Sequence, residues 1–127
     1  GNAGSQSSAI MIRSLALKEV HLKDSLTVIW KETRIGLLLG LVTGLAGIVL
    51  SFLIPHAGVN WLHMGLTIGI SMLFTVMIGS VAGAGLPILA MVFNLDPAVI
   101  AGPLITTIVD AMGLIIYFST AKMIIGL

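Results

Sequence analysis

Three apolar runs, at about 35–54, 62–93 and 97–125, leave this chain few alternatives, because each is long enough to cross a hydrocarbon core of about 30 Å as a helix. The runs are apolar on every face rather than in an amphipathic rhythm, so packing in water would leave most of that surface uncovered. Composition agrees: 57% of the 127 residues are hydrophobic and 9% are charged, with a mean hydropathy of +1.15. In lipid the backbone has to satisfy its own hydrogen bonds, which a helix does within one segment. The sequence therefore predicts an all-α, polytopic integral membrane helical bundle.

Charge sets the orientation. Five of the six basic residues lie between Arg13 and Arg34, and the stretch 18–34 mixes Lys18, Lys23, Lys31 and Arg34 with Glu19, Asp24 and Glu32. That is a solvated connector, and the positive-inside rule makes it cytoplasmic. Within it, residues 23–32 suit an interfacial helix with Leu26, Ile29 and Trp30 on one side. The loop at 55–61 has no Lys or Arg, which fits the outer face, and alternation leaves the C-terminus outside. Residues 1–17 begin small and polar and become apolar toward Arg13. At about 1.5 Å per residue they reach only about 25 Å, so they read as the second half of a transmembrane helix. Gly1 does not read as the start of a signal peptide. His21, His56 and His63 fall at or near the membrane surfaces, and Lys122 snorkels to the outer interface.

Smaller features punctuate the runs. Gly36, Gly40 and Gly44 form a stripe of small residues along which another helix can approach, most simply one of the same subunit. Pro87 lacks an N–H and is expected to kink its helix or end the regular part. Asn94, Leu95, Asp96 and Pro97 make a turn in which Asp96 caps and Pro97 opens the following helix.

One residue in the last run needs a reason. A carboxylate at the centre of a membrane helix costs at least about 2.5 to 3.5 kcal/mol, so Asp110 is expected to meet water, a cation or a protein partner. If the last helix enters the membrane near Val99, Asp110 lies about 16 Å deep. Asn2 precedes Arg13 by the same number of residues and reaches the same depth. On ideal helices Asn2, Gln6, Ala9 and Arg13 share one stripe, and Thr106, Asp110, Gly113 and Tyr117 another. Two such stripes facing each other would line a wet path. Thr106 and Thr107 each have a plainer role available, bonding back to helical carbonyls, while Pro103 frees the carbonyl of Val99.

The donor chemistry selects the ligand. Carboxylate oxygen suits a hard cation, and the absence of cysteine argues against a soft-metal site. One acid per chain is sparse for a dehydrated divalent ion, whereas Mg²⁺ keeps several of its waters. Two copies of Asp110 across the axis of a homodimer would balance the charge better. A proton- or sodium-coupled cation exporter using the same carboxylate is the main alternative. No enzymatic activity is expected: an intramembrane aspartyl protease needs two acids, and only Asp110 lies deep.

The residues also carry a family resemblance. The opening Gly1-Asn2-Ala3-Gly4-Ser5-Gln6 resembles the GN-x-G-x-Q motif of the MgtE family of magnesium channels and transporters. Leu95-Asp96-Pro97-Ala98, followed by Gly102-Pro103-Leu104-Ile105-Thr106-Thr107 and Asp110, is similar to the signature of that family's last membrane helix. The resemblance spans essentially the whole chain and implies a partial transmembrane domain of a homodimer, in the plasma or inner membrane, whose partners are a divalent cation and the bilayer. No nucleic-acid partner is expected. It implies that Mg²⁺ is the transported ion, that Asp110 is the pore residue that holds it hydrated, and that Asn2 lines the pore. Gln6, Gly102, Pro103, Thr106, Thr107 and Gly113 are then pore-lining or supporting residues.

Overall fold

Long apolar stretches fold into long helices because a helix satisfies its own backbone hydrogen bonds where lipid offers no partner. The computed structural model describes residues 1–55, 57–100 and 102–126. Four α-helices follow in order, α1 Asn2–Ala16, α2 Ser25–Leu53, α3 Trp61–Val92 and α4 Gly102–Ile125, with 3₁₀ turns at Leu22–Asp24 and Pro97–Ile100. No strand occurs among the described residues. The segments Leu22–Leu53, Trp61–Val92 and Gly102–Ile125 are long and apolar enough to cross a membrane. The expectation for His56 lies outside the described residues, while His21 and His63 are exposed.

Three local outcomes refine the sequence reading. First, α2 starts at Ser25, so the expected interfacial helix is continuous with the crossing. Residues 25–34 contain no Gly or Pro, and extending a helix costs less than nucleating a second one. Second, α3 runs through the buried Pro87 to Val92. Third, α4 begins at Gly102, which puts Pro103 in the first turn, where its missing N–H leaves no bond unmade. Val99 therefore belongs to the preceding 3₁₀ turn, not to a helical ladder broken by Pro103. Side chains close the starts of α3 and of the second 3₁₀ turn: Asn60 Oδ1 accepts from the Leu62 N–H at 2.8 Å, and Asp96 Oδ1 accepts from the Ala98 N–H at 3.0 Å.

The bundle is organised on α3, which packs against each of the other helices. The glycine stripe of α2 lies on it. A Cβ at Gly36 would stand 2.8 Å from Met77 Cα, one at Gly40 2.7 Å from the Leu73 carbonyl, and one at Gly44 2.7 Å from the Gly69 carbonyl. With lipid on the outside, close van der Waals contact is what holds helices together, and small residues permit it. The paired positions run in opposite order, so α2 and α3 are antiparallel. On the other side of α3, Gly4 of α1 meets Gly79, and Met11 and Leu15 pack with Ala84 and Ile88. Here the numbers rise together, so α1 runs parallel to α3. Gly113 against Thr75 and Val109 against Gly79 make α4 antiparallel to α3.

Candidate functional site

Asp110 lies in the first half of α4, about 12 Å along the helix from Gly102. Ile105 and Val109, both buried, turn the apolar side of α4 onto α3 and α1. That rotation leaves the Asp110 side chain 64% exposed on the flank of the helix. Its Oδ1 is 3.9 Å from the Gly1 nitrogen, and no side-chain cation pairs with it among the described residues. The beginning of α1 therefore stands at the level of Asp110, with Asn2 one residue further on.

The junction of α1 and α4 is polar but is not built from the stripe expected of α1. Ser5 Oγ and Thr106 Oγ1 are 3.0 Å apart, and the buried Ser8 hydroxyl donates to the Ile100 carbonyl at 3.3 Å. A Cβ on Gly1 would lie 3.1 Å from Thr106 Cγ2 and 3.2 Å from Asp110 Oδ1. Gly1, Ser5 and Ser8 thus face α4. Asn2, Gln6, Ala9 and Arg13 are all exposed and lie about a quarter turn further round α1. Two polar stripes exist on this helix, and helical spacing does not distinguish them. The signal that singles out Gly1, Ser5 and Ser8 is their small size beside Gly4, which suits them to a close crossing.

The other expected residues divide between roles. Thr106 makes the cross-helix contact to Ser5, whereas the Thr107 hydroxyl donates back to the Pro103 carbonyl at 2.8 Å. Gly102 has open space around it, and Pro103 is exposed. Gly113 faces α3, where a Cβ would stand 3.0 Å from Thr75 Cγ2. Asp110 borders a groove of about 500 Å³ between α3 and α4, into which Ser71, Thr75 and Tyr117 also project. The Ser71 hydroxyl is buried there without a hydrogen-bond partner among the described residues.

A second acid is held nearer the charged end of α1. Glu32 of α2 accepts from the Ser7 hydroxyl at 2.8 Å, tying α1 to α2. No group of three or more His, Cys, Asp or Glu residues among the described residues is placed to hold an ion. Within one chain, then, Asp110 offers a single hard anionic donor, which suits an ion that keeps its waters rather than one stripped of them.

Comparison with known proteins follows the same lines. The family model MgtE, divalent cation transporter, matches residues 1–120. The chain is 38% identical over 128 residues to a magnesium transporter MgtE of Thermus thermophilus, an overlap covering 98% of this chain and 27% of that protein. It is 37% identical over 123 residues to the magnesium transporter MgtE of Enterococcus faecalis, covering 97% of this chain and 26% of the relative. The corresponding protein of Bacillus subtilis is 35% identical over 124 residues, with 95% and 26% covered. The chain thus spans about a quarter of the length of the curated relatives it matches.

Proposed function

This chain belongs to the MgtE family of divalent cation transporters, and from that premise we propose that it forms part of the path of a divalent cation, chiefly Mg²⁺, across a membrane. The carboxylate of Asp110 attracts the ion with its hydration shell intact. The path lies on the axis of a homodimer, where two copies of Asp110 face one ion and Asn2 and Gln6 supply neutral polar contacts to its water. Thr106 sets the position of α1 beside the acid. The membrane is the plasma or inner membrane, with 18–34 on the cytoplasmic side and the C-terminus outside.

The observation that carries this reading is the state of Asp110: it sits within a helix long and apolar enough to cross a membrane, is 64% exposed, and has no side-chain cation as partner among the described residues. Such a group in lipid is costly unless something polar covers it. The exposed Asn2 and Gln6 on the adjoining helix make the uncovered surface polar as well. A second copy with the same surface would remove all three from lipid, and a hydrated divalent ion would neutralise both acids.

Uptake of Mg²⁺ by vesicles or cells tests the role directly. Asp110→Asn keeps size and hydrogen bonding but removes the charge, and it is expected to lower uptake about 10- to 100-fold, the worth of one charged hydrogen bond of about 1.5 to 3 kcal/mol. Uptake near the wild-type rate in a variant that still inserts and folds would sink the assignment.

A further inference from the structure

At the end of α1 far from Asp110, a groove of about 630 Å³ opens between the α1 C-terminus, the 3₁₀ turn at Leu22–Asp24 and the last turn of α3. Its floor is apolar, formed by Leu15, Val20, Leu22 and Met91, and Leu15, Val20 and Met91 are continuous with the packed cluster around Met11 and Ile88. Lys18, His21 and Lys23 complete the lining, and all three are exposed. Neither lysine pairs with a carboxylate among the described residues, although Glu19 and Asp24 are their chain neighbours. Asp24 is engaged elsewhere: its carboxylate accepts from the His21 N–H at 3.0 Å, and the His21 carbonyl accepts from the Asp24 N–H at 2.9 Å. Lys18 is moreover held at φ +57°, a backbone state that favours glycine, so a long basic side chain stands where the turn itself asks for none.

The surroundings indicate what the groove faces. Leu26, Trp30 and Phe93 are 87%, 63% and 66% exposed at this end of the molecule, and the Arg34 guanidinium carbon stands 5.9 Å from the centre of the Trp30 ring. Exposed aromatics interleaved with bases belong to the headgroup layer. An apolar floor below two unpaired ammonium groups complements a phospholipid, whose upper acyl chain would cover the floor while its phosphate meets the lysines. We propose that this groove is a binding site for an anionic phospholipid at the same membrane face as the 18–34 connector. The site is independent of the ion path, so the two stand or fall separately.

Phosphatidylglycerol is the probe. The chain is reconstituted in phosphatidylcholine nanodiscs containing a minority of phosphatidylglycerol, and retained lipid is counted by native mass spectrometry. The wild type is expected to retain phosphatidylglycerol over phosphatidylcholine. Lys18→Gln with Lys23→Gln should weaken retention about 30-fold, from about 1 kcal/mol per basic residue at 1.4 kcal/mol per tenfold. The corresponding double arginine variant should retain the lipid, and Lys122→Gln should behave as wild type. Equal retention of the two lipids by the wild type, or undiminished retention by the double glutamine variant, overturns the proposal. A photo-crosslinker at Met91 in native membranes should yield a phospholipid adduct, and a protein adduct in its place overturns it as well.

Discussion

The hydroxyls of Ser5 and Thr106 meet at 3.0 Å across the junction of α1 and α4, one helical turn from Asp110. In a bundle surrounded by lipid this contact joins two helices whose relative position decides what surrounds the acid. Thr106 and Asp110 share a side of α4, so a shift of α1 at Ser5 moves the groups nearest the carboxylate.

A double-mutant cycle between Ser5→Ala and Thr106→Val should give a coupling of about 0.6 kcal/mol, the average for interhelical hydrogen bonds in a membrane bundle. Unfolding equilibria in mixed micelles provide the measurement. Strictly additive effects would mean that the two hydroxyls do not bond in the folded protein.

The α2–α3 contact allows no side chain at Gly40 or Gly44, where a Cβ would already press on carbonyl oxygens of α3. Gly44→Val should therefore destabilise by about 1 to 3 kcal/mol through overpacking. Leu38, 65% exposed on the other side of α2, is the control. Leu38→Val should shift the thermal midpoint little, since exposed positions usually stay within about 0.5 kcal/mol.

Ser7 and Glu32 form a second tie, between α1 and α2. Ser7→Ala should cost about 1.5 kcal/mol, at the low end for a bond to a charged acceptor because the pair is partly exposed. Glu32→Gln retains an acceptor and should cost less than Glu32→Ala. If Ser7→Ala and Glu32→Ala each destabilise and their costs simply add, the contact contributes nothing.

The proposed homodimer can be tested with single cysteines, since this sequence has none of its own. Gln6→Cys lies on the open polar side of α1 and should form a disulfide-linked dimer on mild oxidation in membranes. Leu38→Cys should form no disulfide-linked dimer under the same treatment. Equal cross-linking at both positions, or at neither, would leave the proposed axis without support.

Helix α3 depends on its first turn. Asn60→Ala removes the acceptor for the Leu62 N–H and should cost about 1 kcal/mol, whereas Asn60→Asp should preserve stability. Fraying should appear as faster amide exchange in the first turn, and unchanged exchange would show that other contacts hold that end.

Much of this architecture could be read along the chain because lipid makes strong, local demands. Runs of apolar residues become helices in lipid, Asp96 caps the turn it precedes, and Asp110 stands out because a single acid among apolar residues is expensive. The glycines of α2 likewise announced a close contact, though not with which helix.

Rotation about each helix axis was a different matter. On α1, Gly1, Ser5 and Ser8 compete with Asn2 and Gln6 as the polar side, and both sets satisfy the same spacing rule. Tertiary packing resolved the choice: Gly4 carries no side chain, so α1 closes onto Gly79 until the two backbones meet. That contact turns Ser5 toward Thr106 and leaves Asn2 and Gln6 on the open surface, a result that depends on steric fit between helices far apart in the chain.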